Sequence, residues 1–130
     1  MPTSAQTVQD FITAFVKVWP GADPAPLESF FAEDATYHNV PLEAVTGRSA
    51  IMATFAQFMS MGGQVDVEIV HLVAKGPIVM NERVDHFTTD DGTTISLPMM
   101  GVIEVNNGLI TAWRDYFDLS QFMSQLPGGS

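Results

Sequence analysis

The sequence predicts an α+β domain with helices packed on one face of a strongly curved, mixed or antiparallel sheet. Apolar residues recur at helical spacing in the first half of the chain and change to the two-residue alternation of strands from Gln64 onward. Turn signals at Lys75-Gly76-Pro77, Asp90-Asp91-Gly92 and Asn106-Asn107-Gly108 divide the second half into four strand-length pieces. Helices first and an antiparallel run of strands second is the α+β pattern.

Thr3 to Gln6 has the form of a capping box, and Val8, Phe11, Ile12, Phe15, Val16 and Trp19 then share a helical face until Pro20-Gly21. Residues 26–31 read as a short helix opened by Pro26, and residues 35–40 as a strand closed by Pro41. Ser49 is placed to cap a second long helix carrying Ile51, Met52, Phe55, Phe58 and Met59, ended by Gly62-Gly63. Strands follow at 64–75, 77–89, 93–105 and 109–118. Pro98, inside the third of these, cannot donate to a ladder, so a bulge or a free edge is expected there, with curvature. Residues 1–126 are expected to form one domain, and 127–130 (Pro-Gly-Gly-Ser) a flexible tail.

Composition excludes several functions. The chain has 130 residues and is 46% hydrophobic, enough for one core, and only 15% charged, so it is not of the disordered class. Five Lys+Arg against fifteen Asp+Glu leave a net charge of −10, which argues against nucleic acid and against anionic substrates. Without cysteine there is no disulfide, thiolate metal site or cysteine nucleophile. The N-terminus lacks a basic segment followed by an apolar run, so a soluble, cytoplasmic protein with no membrane contact is expected.

The arginines carry most of the chemistry. Two of the three, Arg83 and Arg114, lie inside apolar, strand-like runs, where a guanidinium persists mainly by pairing with carboxylates. On a strand, residues two apart share a face. Val79, Asn81, Arg83, Asp85 and Phe87 therefore fall on one side, as do Leu109, Thr111, Trp113, Asp115 and Phe117, and as do Tyr37 and Asn39. Each face mixes large apolar side chains with one or two polar groups, the composition of a ligand pocket. Taken singly, Arg83 with Asp85 reads as an exposed ion pair, Asp115 as a strand-end carboxylate, and Tyr37 and Asn39 as the end of a strand. Three such faces in one small domain favour a site in which one guanidinium organises two carboxylates as a general acid and base.

His38 and His86 alternate away from that face and His71 stands alone, so no metal is expected. Neither a serine-hydrolase elbow nor a glycine-rich phosphate loop is present in the sequence. The eight methionines read as core filler or adaptable lining.

Tyr37-His38-Asn39, Arg83-Val84-Asp85 and Trp113-Arg114-Asp115-Tyr116-Phe117-Asp118 together resemble the limonene-1,2-epoxide hydrolase family, over essentially the whole chain. That family has the cystatin-like α+β fold of nuclear transport factor 2, ketosteroid isomerase and small polyketide cyclases, with a cone-shaped pocket. The resemblance implies addition of water to a small apolar epoxide, cyclic or terpene-like, giving a vicinal diol without metal, cofactor or covalent intermediate. It implies Asp115 as general base, Asp85 as general acid, Arg83 as the bridge between them, and Tyr37 and Asn39 as the pair that positions water. Val79, Phe87, Leu97, Met99, Trp113 and Phe117 are the expected substrate lining. The family also implies a homodimer, and the chain holds more apolar residues than one small core needs.

Two other readings stand beside it. A ketosteroid-isomerase-like or polyketide-cyclase-like enzyme needs a base and an oxyanion donor, and gains nothing evident from an arginine between two carboxylates. A non-catalytic module for a hydrophobic ligand on the same fold would tolerate Asp85→Asn and Asp115→Asn in its affinity.

Overall fold

The computed structural model describes residues 2–126; the expected tail at 127–130 lies outside the described residues. Helix α1 spans Ser4–Val18, and its N-cap Thr3 accepts a hydrogen bond from the Gln6 backbone N–H. The reciprocal half of the capping box is not made, because the Gln6 side chain donates to Asp10 instead. A 3-10 turn, Trp19–Gly21, ends the helix, and the residue in the left-handed conformation is Ala22, not Gly21. A second 3-10 segment, Ala25–Phe30, leads into strand β1, Phe31–Asn39.

Helix α2 spans Arg48–Met59 and corrects the sequence expectation that Ser49 caps it. A two-residue strand β2, Val45–Thr46, pairs antiparallel with β1, so the chain must turn sharply immediately after it. Gly47, at φ 99, makes that turn as the N-cap, and no side chain caps the helix.

Strands β3 (Gln64–Lys75), β4 (Ile78–Thr88), β5 (Thr94–Asn106) and β6 (Leu109–Tyr116) follow the expected segments to within a residue or two. Asn107 and Gly108 both have positive φ, the two-residue turn whose twist matches the strands it joins. The six-stranded sheet has the order β2-β1-β6-β5-β4-β3 and is mixed, because β1 runs parallel to β6. That parallel pairing sets Tyr37 beside Trp113 and Asn39 beside Asp115.

Pro98 causes no bulge: the β4–β5 register runs unbroken from Ile78↔Glu104 to Thr88↔Thr94. It is accommodated because β6 pairs with β5 only from Met100 onward, leaving the first half of β5 an edge. The irregularities lie elsewhere. On β3, Ile69 pairs with Arg83 but His71 with Glu82, leaving Val70 as an extra residue. On β6, Ala112 pairs with Glu104 but Ile110 with Val105, leaving Thr111 extra. The second bulge shifts the alternation by one, so Ile110, Trp113 and Asp115 are buried while Leu109 is exposed. Leu109 and Thr111 therefore do not share the face of Trp113 and Asp115.

Phe11 of α1 is the centre of the core, with ring centroids 5.1–5.9 Å from those of Phe15, Phe30, Phe31, Phe55 and Trp113. A short helix, α3 (Leu119–Gln125), follows β6; its N-cap Asp118 accepts from the Gln121 backbone N–H. Gln125 ties α3 to the free edge of β5, accepting from Ser96 N and donating to Ser96 O.

Candidate active site

Alternation along β4 turns Asn81, Arg83 and Asp85 toward the helices, and the post-bulge register of β6 brings Asp115 to the same place from two strands away. Arg83 is 4% exposed and all three nitrogens of its guanidinium donate hydrogen bonds. Nε donates to Asp85 Oδ1 at 3.0 Å, Nη2 to Asp115 Oδ2 at 2.7 Å and to Met99 Sδ at 2.9 Å, and Nη1 to Asn81 Oδ1 at 3.0 Å. Its face lies 5.6 Å from the Trp113 ring centroid. Burial works against the charged guanidinium, but Asp115 and Asp85 outweigh it and hold its pKa above the ordinary arginine value.

The two carboxylates differ. Asp115 accepts on both oxygens, from Arg83 Nη2 and from Trp113 Nε1 at 2.8 Å, and neither donor can accept in return. Asp85 accepts on Oδ1 only, leaving Oδ2 free of protein hydrogen bonds among the described residues. Burial pushes the Asp85 pKa up, Arg83 pulls it down, and the negative charge of Asp115 raises it again, for a net rise. Asp85 is thus the carboxyl suited to keep a proton.

That rise has a consequence for stability. A folded-state pKa above the unfolded value means the folded protein binds this proton more tightly, so the contribution is full at low pH and is lost as pH rises through the raised value. Asp85→Asn removes the titration. Its melting temperature, measured from about pH 4 to about pH 8, is expected to gain on wild type as pH increases. An unchanged difference across that range would show that Asp85 does not carry the proton.

Tyr37 and Asn39 project from β1 next to Trp113 and Asp115. Burial raises the Tyr37 pKa above the usual phenol value, Asp115 adds to the rise, and Arg83 and Asn39 oppose it, so the hydroxyl keeps its proton and can donate. At Gly101, opposite Asp115, an added Cβ would lie 2.6 Å from Arg83 Nη1 and from Asn81 Oδ1, and 3.0 Å from Asp115 Oδ1. Any side chain there would displace the guanidinium.

Asp85, Asp115 and Asn39 open into a cavity of ≈ 130 Å³ whose other walls are Phe15, Trp19, Leu42, Phe58, Met61, Phe87, Leu97, Met99, Phe117, Leu119 and Phe122. Of the expected lining, Phe87, Leu97, Met99 and Phe117 are in this wall. Val79 and Trp113 are not: Val79 is fully buried in the core, and Trp113 packs on Phe11 and holds Asp115 through its indole N–H. Tyr37 faces an adjoining hollow that shares Asn39, Leu42, Phe58, Met61 and Phe122 with the cavity.

The sequence reading missed the wall supplied by α1, α2 and α3. Phe15, Trp19 and Phe58 lie on apolar helix faces that are indistinguishable from core-facing ones without the tertiary arrangement. Leu119 and Phe122, three apart after a capping Asp118, were a legible helix signal. None of the histidines reaches the cavity: His38 contacts the Leu42 carbonyl, His71 pairs with Glu82, and His86 lies between Ser96 and Glu68.

Known proteins agree with this architecture. The epoxide hydrolase EphG of Mycobacterium tuberculosis is 29% identical over 118 residues, covering 91% of this chain and 78% of that protein. A solved LEH-like epoxide hydrolase from M. tuberculosis is similar with a TM-score of 0.74 at 26% identity, covering 95% of this chain and 92% of the other. A protein with a ketosteroid isomerase-like fold from Catenulispora acidiphila, solved with trimethylamine, has a TM-score of 0.75 at 30% identity, covering 90% and 93%. Residues 2–128 match the limonene-1,2-epoxide hydrolase catalytic domain, and the chain belongs to that family.

Proposed function

We propose that the protein hydrolyses a small, apolar epoxide, cyclic or terpene-like, to a vicinal diol in one step. The observation that carries this reading is the single guanidinium joining two unlike carboxyl groups that both open into an apolar cavity. Asp115 takes a proton from water, the water oxygen forms a bond to one epoxide carbon, and the carbon–oxygen bond of the ring breaks. Asp85 gives its proton to the departing oxygen, so both new hydroxyls end neutral. Tyr37 and Asn39 hold the water beside Asp115. Arg83 keeps the two carboxyl groups in place and stabilises negative charge passing between them. The strained ring supplies driving force, and the apolar walls strengthen each electrostatic contact while favouring a substrate without polar substituents.

The test is single-turnover hydrolysis of a panel of cyclic and linear epoxides in oxygen-18 water. Direct attack places one heavy oxygen in the diol in the first turnover. An unlabelled first-turnover diol would mean that an enzyme carboxylate attacks, and no diol from any epoxide would move the site to carbonyl chemistry or ligand binding.

A homodimer is the second part of the proposal. The sheet face turned away from the helices exposes Val73 beside Met80 and Met100 beside Tyr116, with Val70 nearby. Light scattering of the purified chain is expected to give twice the monomer mass of 14.1 kDa, and Met100→Asp to give monomer. Monomer from the wild-type chain would exclude the dimer.

A further inference from the structure

Four side chains hold the Arg83 guanidinium, and the reaction proposed above accounts for only two of them. Asn81, in the middle of β4, is 1% exposed. Its Oδ1 accepts from Arg83 Nη1 at 3.0 Å, and its Nδ2 has no hydrogen-bond partner among the described residues. A buried, unpartnered amide NH2 is destabilising, so folding alone would favour an aliphatic side chain of similar size at this position. The orientation of the amide follows from the donors available. Turned the other way, its NH2 would face a guanidinium that can only donate. Gly101 closes the arrangement from β5, where an added Cβ would meet both Arg83 Nη1 and Asn81 Oδ1 at 2.6 Å.

We propose that Asn81 is a positioning residue for catalysis. It holds Arg83 Nη1 so that Nε stays on Asp85 and Nη2 on Asp115, and it does so with a neutral oxygen. Neutrality matters as much as the hydrogen bond. A third carboxylate around one buried cation would leave an extra negative charge in the site, and that group would compete for the proton Asp85 delivers to the substrate. The inference rests on the epoxide-hydrolase reading of the site.

Two full-length variants test it, with cyclohexene oxide as the probe substrate. Asn81→Leu keeps the shape and removes the acceptor; kcat is expected to fall roughly 10- to 100-fold with KM unchanged, because only the alignment of the acid and base is lost. Asn81→Asp keeps the acceptor and adds charge. Its kcat relative to wild type is expected to fall as pH rises and to recover as pH falls, when the introduced carboxyl is protonated and again accepts as a neutral group. A flat ratio across pH, or wild-type kcat in Asn81→Leu, overturns the proposal.

The nitrogen-15 NMR signals of the Arg83 side chain provide a readout independent of turnover. Separate Nη1 and Nη2 resonances in wild type are expected to merge in Asn81→Leu. If wild type forms no diol from any epoxide, the reading of the reaction fails, and these signals decide the positioning: separate resonances persisting in Asn81→Leu overturn it.

Discussion

Asp115→Asn is expected to lower kcat for epoxide hydrolysis by about 1,000-fold or more while the protein remains folded. The effect is large because the substitution acts on base and acid together. An amide cannot take a proton from water, and it can present an oxygen to only one of the donors that face Asp115, Arg83 Nη2 and Trp113 Nε1. Loss of the Asp115 charge also removes one of the influences that raise the Asp85 pKa, and leaves Arg83 to act on Asp85 alone. Asp85 is then more fully ionised at neutral pH and has no proton to deliver to the epoxide oxygen. Steady-state rates with a fluorescence melt check the expectation. A folded variant with the wild-type rate would remove Asp115 from the mechanism.

Arg83→Met is expected to abolish turnover and to destabilise the protein by about 3–5 kcal/mol at neutral pH, the range for removing one partner of a buried ion pair. The cost arises from two carboxylates left close together without a cation. It should therefore depend on pH with a known sign. Arg83 is the group that pulls the Asp85 pKa down, so without the guanidinium that already raised value rises further, and the variant binds this proton more tightly folded than unfolded. Stability from that proton is present at low pH and lost as pH rises through the raised value, and the deficit relative to wild type is expected to shrink on acidification. Denaturation midpoints at several pH values measure it. A deficit that does not change with pH would mean that the loss comes from the packing of Arg83 on Trp113, 5.6 Å away, and not from the carboxylates.

Much of this was legible in the chain. A period of two places Asn81, Arg83 and Asp85 on one face of β4 whatever that strand packs against, and the Asp-Gly and Asn-Gly turns limit the register of the hairpins. An arginine in an apolar strand calls for carboxylate partners, and the nearest one on its own face of the strand, Asp85, is bonded to it. The same rule failed on β6. An extra residue at Thr111 leaves no mark in composition, so alternation counted from Leu109 gave the wrong face at the start of the strand and the right one at Trp113 and Asp115. Ser49 misled for a related reason: a cap-forming residue is only used if the chain arrives in the right direction, and the β2 pairing makes Gly47 the turning point.

By itself the sequence determined the types of the longer elements, the hairpin turns and the polar triplet on β4, because each depends on residues close together in the chain. Only the tertiary structure decided that Asp115 meets Arg83 across β5, that Trp113 supports Asp115 from the core, and that Asn81 occupies the last edge of the guanidinium. Those contacts join residues up to 32 positions apart, and their geometry depends on a bulge, an edge strand and a glycine that yields its space to a neighbour. The cavity wall from α1, α2 and α3 depends on which apolar faces remain uncovered once the core has packed, and that is a property of the whole fold and not of any one segment.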